Sequence, residues 1–280
     1  MSNMPDKYAV IGNPIAHSKS PLIHAEFARR TGQDISYAGI LAPLDGFSAA
    51  ADEFKRAGGK GLNVTLPFKH DAWNYVTSHE GFAVDAEAVN TIKFDGPNAV
   101  GHNTDGIGLV TDLERNLKFP IRGKRILLMG AGGATYGVMR PILDARPDHV
   151  VVANRTFEKA SRLVAHFQKS GNFPPHGVSA KPYSQLAELQ FDLVINATSA
   201  GLRGEMPDIP DGVFAPGALA YDMMYGKVTP FMQFASGKAA TVADGLGMLV
   251  EQAAESFFVW RGVRPDTAPV IEMLRRKAEG

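Results

Sequence analysis

The sequence predicts an α/β protein of two domains, the second a doubly wound parallel sheet. Three observations predict it. Short apolar strands alternate with amphipathic helices along most of the chain, which favours a parallel α/β architecture. A glycine turn, Gly130-Ala131-Gly132-Gly133-Ala134, follows a strand almost halfway along the 280 residues. From that turn a fresh and more regular alternation begins, so the residues before it form a domain of their own.

In the leading part, YAVIG (Tyr8–Gly12), SYAGILA (Ser36–Ala42) and GLNVTL (Gly61–Leu66) read as strands. Between them PLIHAEFARRTG and GFSAAADEFKRAG carry helical spacing and end at glycine. AVNTIKF and NAVGHNT form a two-stranded pair around the turn Asp95-Gly96-Pro97-Asn98. The boundary falls after Asp105, with GIGLVTDLERN (Gly106–Asn116) as the crossing helix. In the trailing part, strand RILLMG leads into a helix from about Ala134, and strand HVVVAN into helix FEKASRLVAHFQ. Strands FDLVINAT and LAYDMM follow. The long helix GLGMLVEQAAESFFVWRG places Leu246, Leu249, Val250, Ala253, Ala254 and Phe257 on one side. A last helix spans about Pro269 to Lys277. These terminal helices extend the second domain or return to the first, and periodicity does not choose.

Composition narrows the functional classes. With 45% hydrophobic residues the chain can bury real cores, and it has no run of about 18 uninterrupted apolar residues for a membrane helix. The first residues lack a basic segment followed by an apolar run, so no signal peptide is expected. The absence of cysteine excludes disulfides, thiolate metal sites and a cysteine nucleophile, and fits a reducing cytoplasm. Lysine plus arginine equals aspartate plus glutamate at 29 each, without a basic block, which argues against a nucleic-acid partner. The eight histidines are scattered without a paired spacing, and no metal is expected. The partner expected is a small-molecule substrate, with neither nucleic acid nor membrane, for a monomer or homodimer.

The glycine turn points to a dinucleotide. Gly130 permits a tight turn, Gly132 lets backbone approach a pyrophosphate, and the helix that follows offers N–H groups and a favourable dipole. Thr135 stands where a third glycine is usual. In sheets that bind NAD, a carboxylate about 20 residues further on holds the ribose hydroxyls. Here the strand ends in Asn154-Arg155-Thr156, with Lys159 shortly after and Glu158 the only nearby acid. Arginine and lysine attract a ribose phosphate that a carboxylate would repel, so the cofactor expected is NADP.

Three polar clusters sit at strand ends or helix starts of the leading part. Ser18 and Ser20 precede Pro21, where Ser20 suits a helix N-cap and Ser18 places a second hydroxyl near an anion. Alternation puts Asn63 and Thr65 on one strand face, and Lys69 follows on a first helical turn. A helix dipole disfavours an ammonium there, as a proton donor or acceptor near neutrality needs. Asn90 and Asn103-Thr104-Asp105 complete the set, and a carboxylate at Asp105 could pair with Lys69.

Together these motifs resemble the shikimate dehydrogenase family over nearly the whole chain. The resembling segments are VIGNPIAHSKSP, GLNVTLPFK, AVNT, NTDGIG, GAGGA, NRT, INATSAG, YDMMY and DGLGMLVEQA. The resemblance implies a substrate domain at residues 1–105, a Rossmann-type NADP-binding domain at 106–244, and C-terminal helices at 245–280 returning to the first domain. It implies reversible reduction of 3-dehydroshikimate to shikimate by NADPH, a step of aromatic amino-acid (chorismate) biosynthesis. By motif, Ser18 and Ser20 would hold the substrate carboxylate, and Asn63, Thr65, Asn90, Asp105 and Gln252 its ring hydroxyls. Lys69 would be the acid–base residue with Asp105 as partner, and Tyr225 matches the family tyrosine near the substrate. Gly130, Ala131, Gly132, Gly133, Ala134, Asn154, Arg155, Thr156, Lys159, Thr198, Met223 and Gly245 would contact the cofactor. One departure is His79-Glu80-Gly81, where relatives often carry an acidic residue one position later.

Overall fold

The computed structural model describes residues 4–170, 177–239 and 241–279. The chain divides into two compact units, Met1–Gly108 with Val250–Gly280, and Leu109–Leu249.

In the first unit, β1 (Asp6–Gly12), β2 (Ile35–Leu41) and β3 (Gly59–Val64) alternate with α1 (Ser20–Thr31) and α2 (Phe47–Arg56). Then come α3 (Lys69–Tyr75), the short β4 (Ser78–His79), α4 (Ala83–Ala86), and the pair β5 (Thr91–Asp95) and β6 (Asn98–His102). The sheet order is β2-β1-β3-β5-β6-β4. β1 pairs in parallel with both β2 and β3, whereas β5 runs antiparallel to β3 and β6, so this sheet is mixed. A four-residue turn leaves no room for a crossover helix and therefore forces the antiparallel pair, whose Asp95 faces Asn98. One face is packed by Ala9, Ile11, Leu62, Val64, Phe68 and Ile92. Helix α1 stops at Gly32, whose left-handed φ of 65° lets its N–H reach the Ala28 carbonyl.

The chain leaves this unit within α5 (Asp105–Thr111), which runs on into a wider π turn at Asp112–Asn116. The second unit contains β7 (Arg125–Met129), α6 (Gly133–Asp144), β8 (His149–Ala153), α7 (Phe157–Ser170) and β9 (Val178–Lys181). It continues with β10 (Phe191–Asn196), β11 (Phe214–Asp222), α8 (Pro230–Ala235) and β12 (Thr241–Asp244). All six strands are parallel, in the order β12-β11-β10-β7-β8-β9. This is the doubly wound order, with its switch point between β7 and β10. Ile126 and Leu128 pack in one apolar cluster and Leu127 and Met129 in another, so both faces are covered. That double burial explains the unbroken apolar strands of the sequence.

The last helices are α9 (Leu246–Arg261) and α10 (Ala268–Glu279). The expected stripe is buried at Leu246, Val250, Ala253, Ala254 and Phe257, while Leu249 is half-buried. Glu251, Glu255, Ser256 and Trp260 are buried too, so α9 is covered on more than one side.

Candidate active site

Backbone ladders gather the polar residues of the first unit. Strand β3 ends at Val64, so Thr65 and Leu66 lie just past the strand and not in it. The Thr65 N–H still reaches the Ile11 carbonyl at 3.0 Å. The Val64 N–H donates to the Asn90 carbonyl (2.8 Å), and the Asn90 N–H to the His102 carbonyl (3.0 Å). The Val89 N–H donates to the carbonyl of Lys69 (3.0 Å), so the start of α3 is tied to the segment that leads through Asn90 into β5. Asn103 locks the approach to α5, donating to the Ala88 carbonyl (3.0 Å) and accepting from the Asp105 N–H (3.1 Å).

These ties bring Lys69 against Asp105 in an ion pair between Lys69 Nζ and Asp105 Oδ2. The lysine side chain keeps 23% of its surface exposed and the aspartate 9%, so the pair is open to a ligand on the lysine side. The other carboxylate oxygen accepts from Asn90 Nδ2 (2.7 Å). Asn63 is buried beside them, its amide nitrogen 2.9 Å from Ser256 Oγ and its oxygen 2.7 Å from Tyr37 Oη. Burial pushes the Tyr37 phenol well above its usual range, and a bond from Ser20 opposes this. Tyr37 therefore stays neutral and serves as a hydrogen-bond donor.

Ser20 is not the N-cap. It is the first residue of α1 and is buried. The cap position is Lys19, without a side-chain bond, and Ser18 Oγ accepts the Ser20 N–H at 3.3 Å. Proline at the first turn already removes one donor that a cap would satisfy, which frees Ser20 to turn inward. Thr65 and Gln252 are half-buried in the same unit, with Gln252 one turn before Ser256 on α9. His79 packs its ring on Trp73, 3.5 Å between centroids, and its Nε2–H donates to the Trp73 carbonyl.

The sequence reading missed Tyr37, Thr91 and Ser256. Thr91 stood next to Asn90 in the AVNT motif, and Ser256 stood four residues after Gln252. Tyr37 lay in a strand with no polar motif around it and carried no signal.

In the second unit, Gly130 has φ 108°, a region open to glycine, and a Cβ there would lie 3.1 Å from the Ala197 carbonyl oxygen. Gly132 and Gly133 are exposed at the start of α6, and a Cβ on either would meet nothing within 4 Å. An anion therefore has open room at a twelve-residue helix's N-terminus. Thr135 is buried and its hydroxyl donates to the Gly130 carbonyl at 3.0 Å, so threonine braces the turn where a glycine is usual. Arg155, Thr156 and Lys159 are exposed past the end of β8, and Asn154 Nδ2 holds their turn by donating to the Thr156 carbonyl (2.8 Å). This donor set fits a dinucleotide with a ribose phosphate.

Thr198, half-buried past β10, donates to Asn196 Oδ1 at 2.8 Å. The other end of Asn196 donates to buried Asp222 (3.1 Å), which also accepts from Thr229 Oγ1 (2.5 Å) and from the Met224 N–H (3.0 Å). Met223 is half-buried against the core, Ala131 and Ala134 are half-buried in the turn, and Gly245 is buried with its N–H on the Met224 carbonyl (2.9 Å). A Cβ on Gly245 would strike the Met223 carbonyl. Tyr225 lies in this second unit.

A dinucleotide cradle on a doubly wound sheet, and an ammonium–carboxylate pair among buried amides, define a class: the dehydrogenases that use a soluble nicotinamide nucleotide. Family models match at residues 10–92 (shikimate dehydrogenase substrate binding domain), 113–203 (shikimate / quinate 5-dehydrogenase) and 245–275 (shikimate 5'-dehydrogenase C-terminal domain). The chain belongs to the shikimate dehydrogenase family. A relative from Nitrosospira multiformis, named shikimate dehydrogenase (NADP(+)), is 56% identical over 97% of this chain and 98% of its own. Among solved structures, an Ael1 enzyme from Pseudomonas putida is 46% identical with a TM-score of 0.90, over 96% of this chain and 98% of that one. Shikimate 5-dehydrogenase from Thermus thermophilus in complex with NADP(H) and shikimate is 32% identical with a TM-score of 0.85, over 97% and 99%.

Proposed function

We propose that the protein catalyses the reversible, NADP-dependent reduction of 3-dehydroshikimate to shikimate, a step of aromatic amino-acid biosynthesis in the cytoplasm. The observation that carries this reading is the Lys69–Asp105 pair, half-open and ringed by the amides of Asn63 and Asn90. Named relatives more than half identical to this chain act on shikimate with NADP(+) by their names.

Residues 1–108 and 250–280 then serve the substrate, and residues 109–249, Tyr225 apart, the cofactor. Gly130 to Ala134 would cradle the pyrophosphate. Arg155, Thr156 and Lys159 would hold the ribose phosphate, with Thr198, Met223 and Gly245 toward the nicotinamide end. When bound, the reduced nicotinamide supplies a hydride to the ketone carbon. Negative charge grows on the ketone oxygen, and the Lys69 ammonium stabilises it and supplies the proton, an assistance worth about 10²–10⁴-fold. Asp105 holds that ammonium by one oxygen while Asn90 holds the other, so the donor is kept in line. Ser18 and Ser20 would take the substrate carboxylate, and Asn63, Thr65, Asn90, Asp105, Tyr225 and Gln252 its ring.

Steady-state rates with shikimate and quinate, each with NADP and NAD, test the reading by the growth of reduced-nicotinamide absorbance. Shikimate with NADP should give the highest kcat/KM; a clear preference for quinate with NAD would overturn the proposal.

A further inference from the structure

Hydrogen bonds in the first unit run unbroken from Tyr37 to Lys69, and two groups in that row cannot reverse their sense. The Thr104 backbone N–H only donates, and it meets Asn90 Oδ1 at 2.9 Å. The Asp105 carboxylate, paired with Lys69, accepts from Asn90 Nδ2 at 2.7 Å. These two set the Asn90 amide one way round. The Thr91 hydroxyl lies 2.9 Å from Asn90 Oδ1 and must spend its single proton there.

Thr91 Oγ1 then has only lone pairs left for Asn63, whose Nδ2 donates to it at 3.1 Å. Ser256 Oγ sits 2.7 Å from Thr91, whose proton is spent, so Ser256 donates to Thr91 and accepts from Asn63. Asn63 Nδ2 also faces the Asn90 backbone carbonyl at 3.3 Å, a group that only accepts, and the Asn63 oxygen takes the Tyr37 proton. The oxygen retains one lone pair. Thr91 and Ser256 are fully buried, and neither has a part in the mechanism above.

We propose that Thr91 is a positioning residue for the dehydrogenase reaction. Its hydroxyl links Asn90 to Asn63 and, with the Asn90 carbonyl, holds the Asn63 amide so that Asn63 meets a ring hydroxyl of the substrate as an acceptor. It also completes the bonding that keeps Asn90 on Asp105, and Asp105 on Lys69. The inference rests on the substrate roles given above to Asn63, Asn90, Asp105 and Lys69. Valine at this position keeps the shape, removes one of the two close donors to Asn90 Oδ1 and leaves the Thr104 N–H, and takes from Asn63 its acceptor at Thr91 while the Asn90 carbonyl remains.

Thr91→Val, Thr91→Ser and Thr91→Ala are compared with the parent by steady-state kinetics and thermal melting. Thr91→Val should lower kcat/KM for shikimate by about ten-fold or more, the scale of one unsatisfied buried polar group. KM for NADP should be unchanged, and Thr91→Ser, which restores the hydroxyl, should recover most of the loss. Parental kcat/KM in Thr91→Val, or a serine variant as impaired as the valine one, would overturn the proposal. Should Thr91→Val fail to fold, Thr91→Ala set against Thr91→Ser carries the same comparison with the same outcomes. A parent enzyme inactive with shikimate and NADP overturns the functional reading and this proposal with it, whereas an active parent with an undisturbed Thr91→Val overturns only the proposal.

Discussion

At the scale of single residues, the proposed mechanism rests on Lys69. Replacing it by alanine should lower kcat by at least about 10²-fold while NADP still binds, since the cradle residues belong to the other unit. Fluorescence titration with NADPH alongside steady-state rates checks both halves, and an unchanged kcat removes lysine from the mechanism. His24 sets a different kind of limit. Its ring is buried, stacked 4.2 Å from Tyr37, and neither nitrogen has a hydrogen-bond partner among the described residues. Burial lowers its pKa from 6.5 to about 3, and the nearby Asn63 amide offsets only part of this. The folded pKa lies below the unfolded one, so an unfolded chain takes up a proton that the folded chain refuses. Its contribution is fully present above pH 6.5 and is lost as pH falls toward 3. Between pH 7 and pH 5 this residue should cost about 2 kcal/mol of unfolding free energy. Urea denaturation at both values should show a shallower pH dependence in His24→Phe; equal slopes would refute the assignment.

At the scale of elements, turns and helix starts frame the proposed cofactor site. Gly130 joins β7 to α6 at φ 108° with the Ala197 carbonyl close by. Gly130→Ala should cost about 1–2 kcal/mol in backbone strain, read by thermal melting, and should weaken NADP binding further. Arg155 and Lys159, exposed past β8, are the residues proposed to distinguish a ribose phosphate from a ribose. Arg155→Ala should raise KM for NADP by about ten-fold, the loss of one charge-assisted pair, and leave KM for NAD nearly unchanged. Equal changes for both cofactors would mean that the guanidinium does not read the phosphate. These elements were legible because their grammar is local: a strand, a glycine, a helix start and a basic residue lie within a few positions. The serine at position 20 was misread as a cap for the same reason, since cap residues and inward-turned hydroxyls share one local pattern.

The returning helices are the main fact at the scale of the whole molecule. Trp260 stacks on Tyr8 with 4.6 Å between centroids and donates its indole N–H to the Ile92 carbonyl at 2.9 Å. A Cβ on Gly61 would lie 2.5 Å from that indole nitrogen, so glycine is what admits the ring. Arg261 reaches Gln33 (2.8 Å) and Asp6 (2.5 Å). A chain truncated after Leu249 should therefore lose the urea transition of the first unit while the second still melts cooperatively. Circular dichroism with limited proteolysis would follow both. A truncated chain with an intact first unit would show that α9 is dispensable there.

Periodicity, the glycine turn and the run of polar motifs determined, without coordinates, the α/β class, the late start of the dinucleotide sheet and the pair Lys69–Asp105 as candidates. These are properties of neighbours along the chain, where spacing and side-chain type carry the physics. Only the tertiary structure decided where α9 is divided between the units, Leu246–Leu249 in the second and Val250 onward in the first, how Tyr37, Thr91 and Ser256 line the amides, and which way round Asn63 and Asn90 point. Those depend on hydrogen bonds between residues as far apart as Asn63 and Ser256, whose donor–acceptor sense exists only once the partners meet.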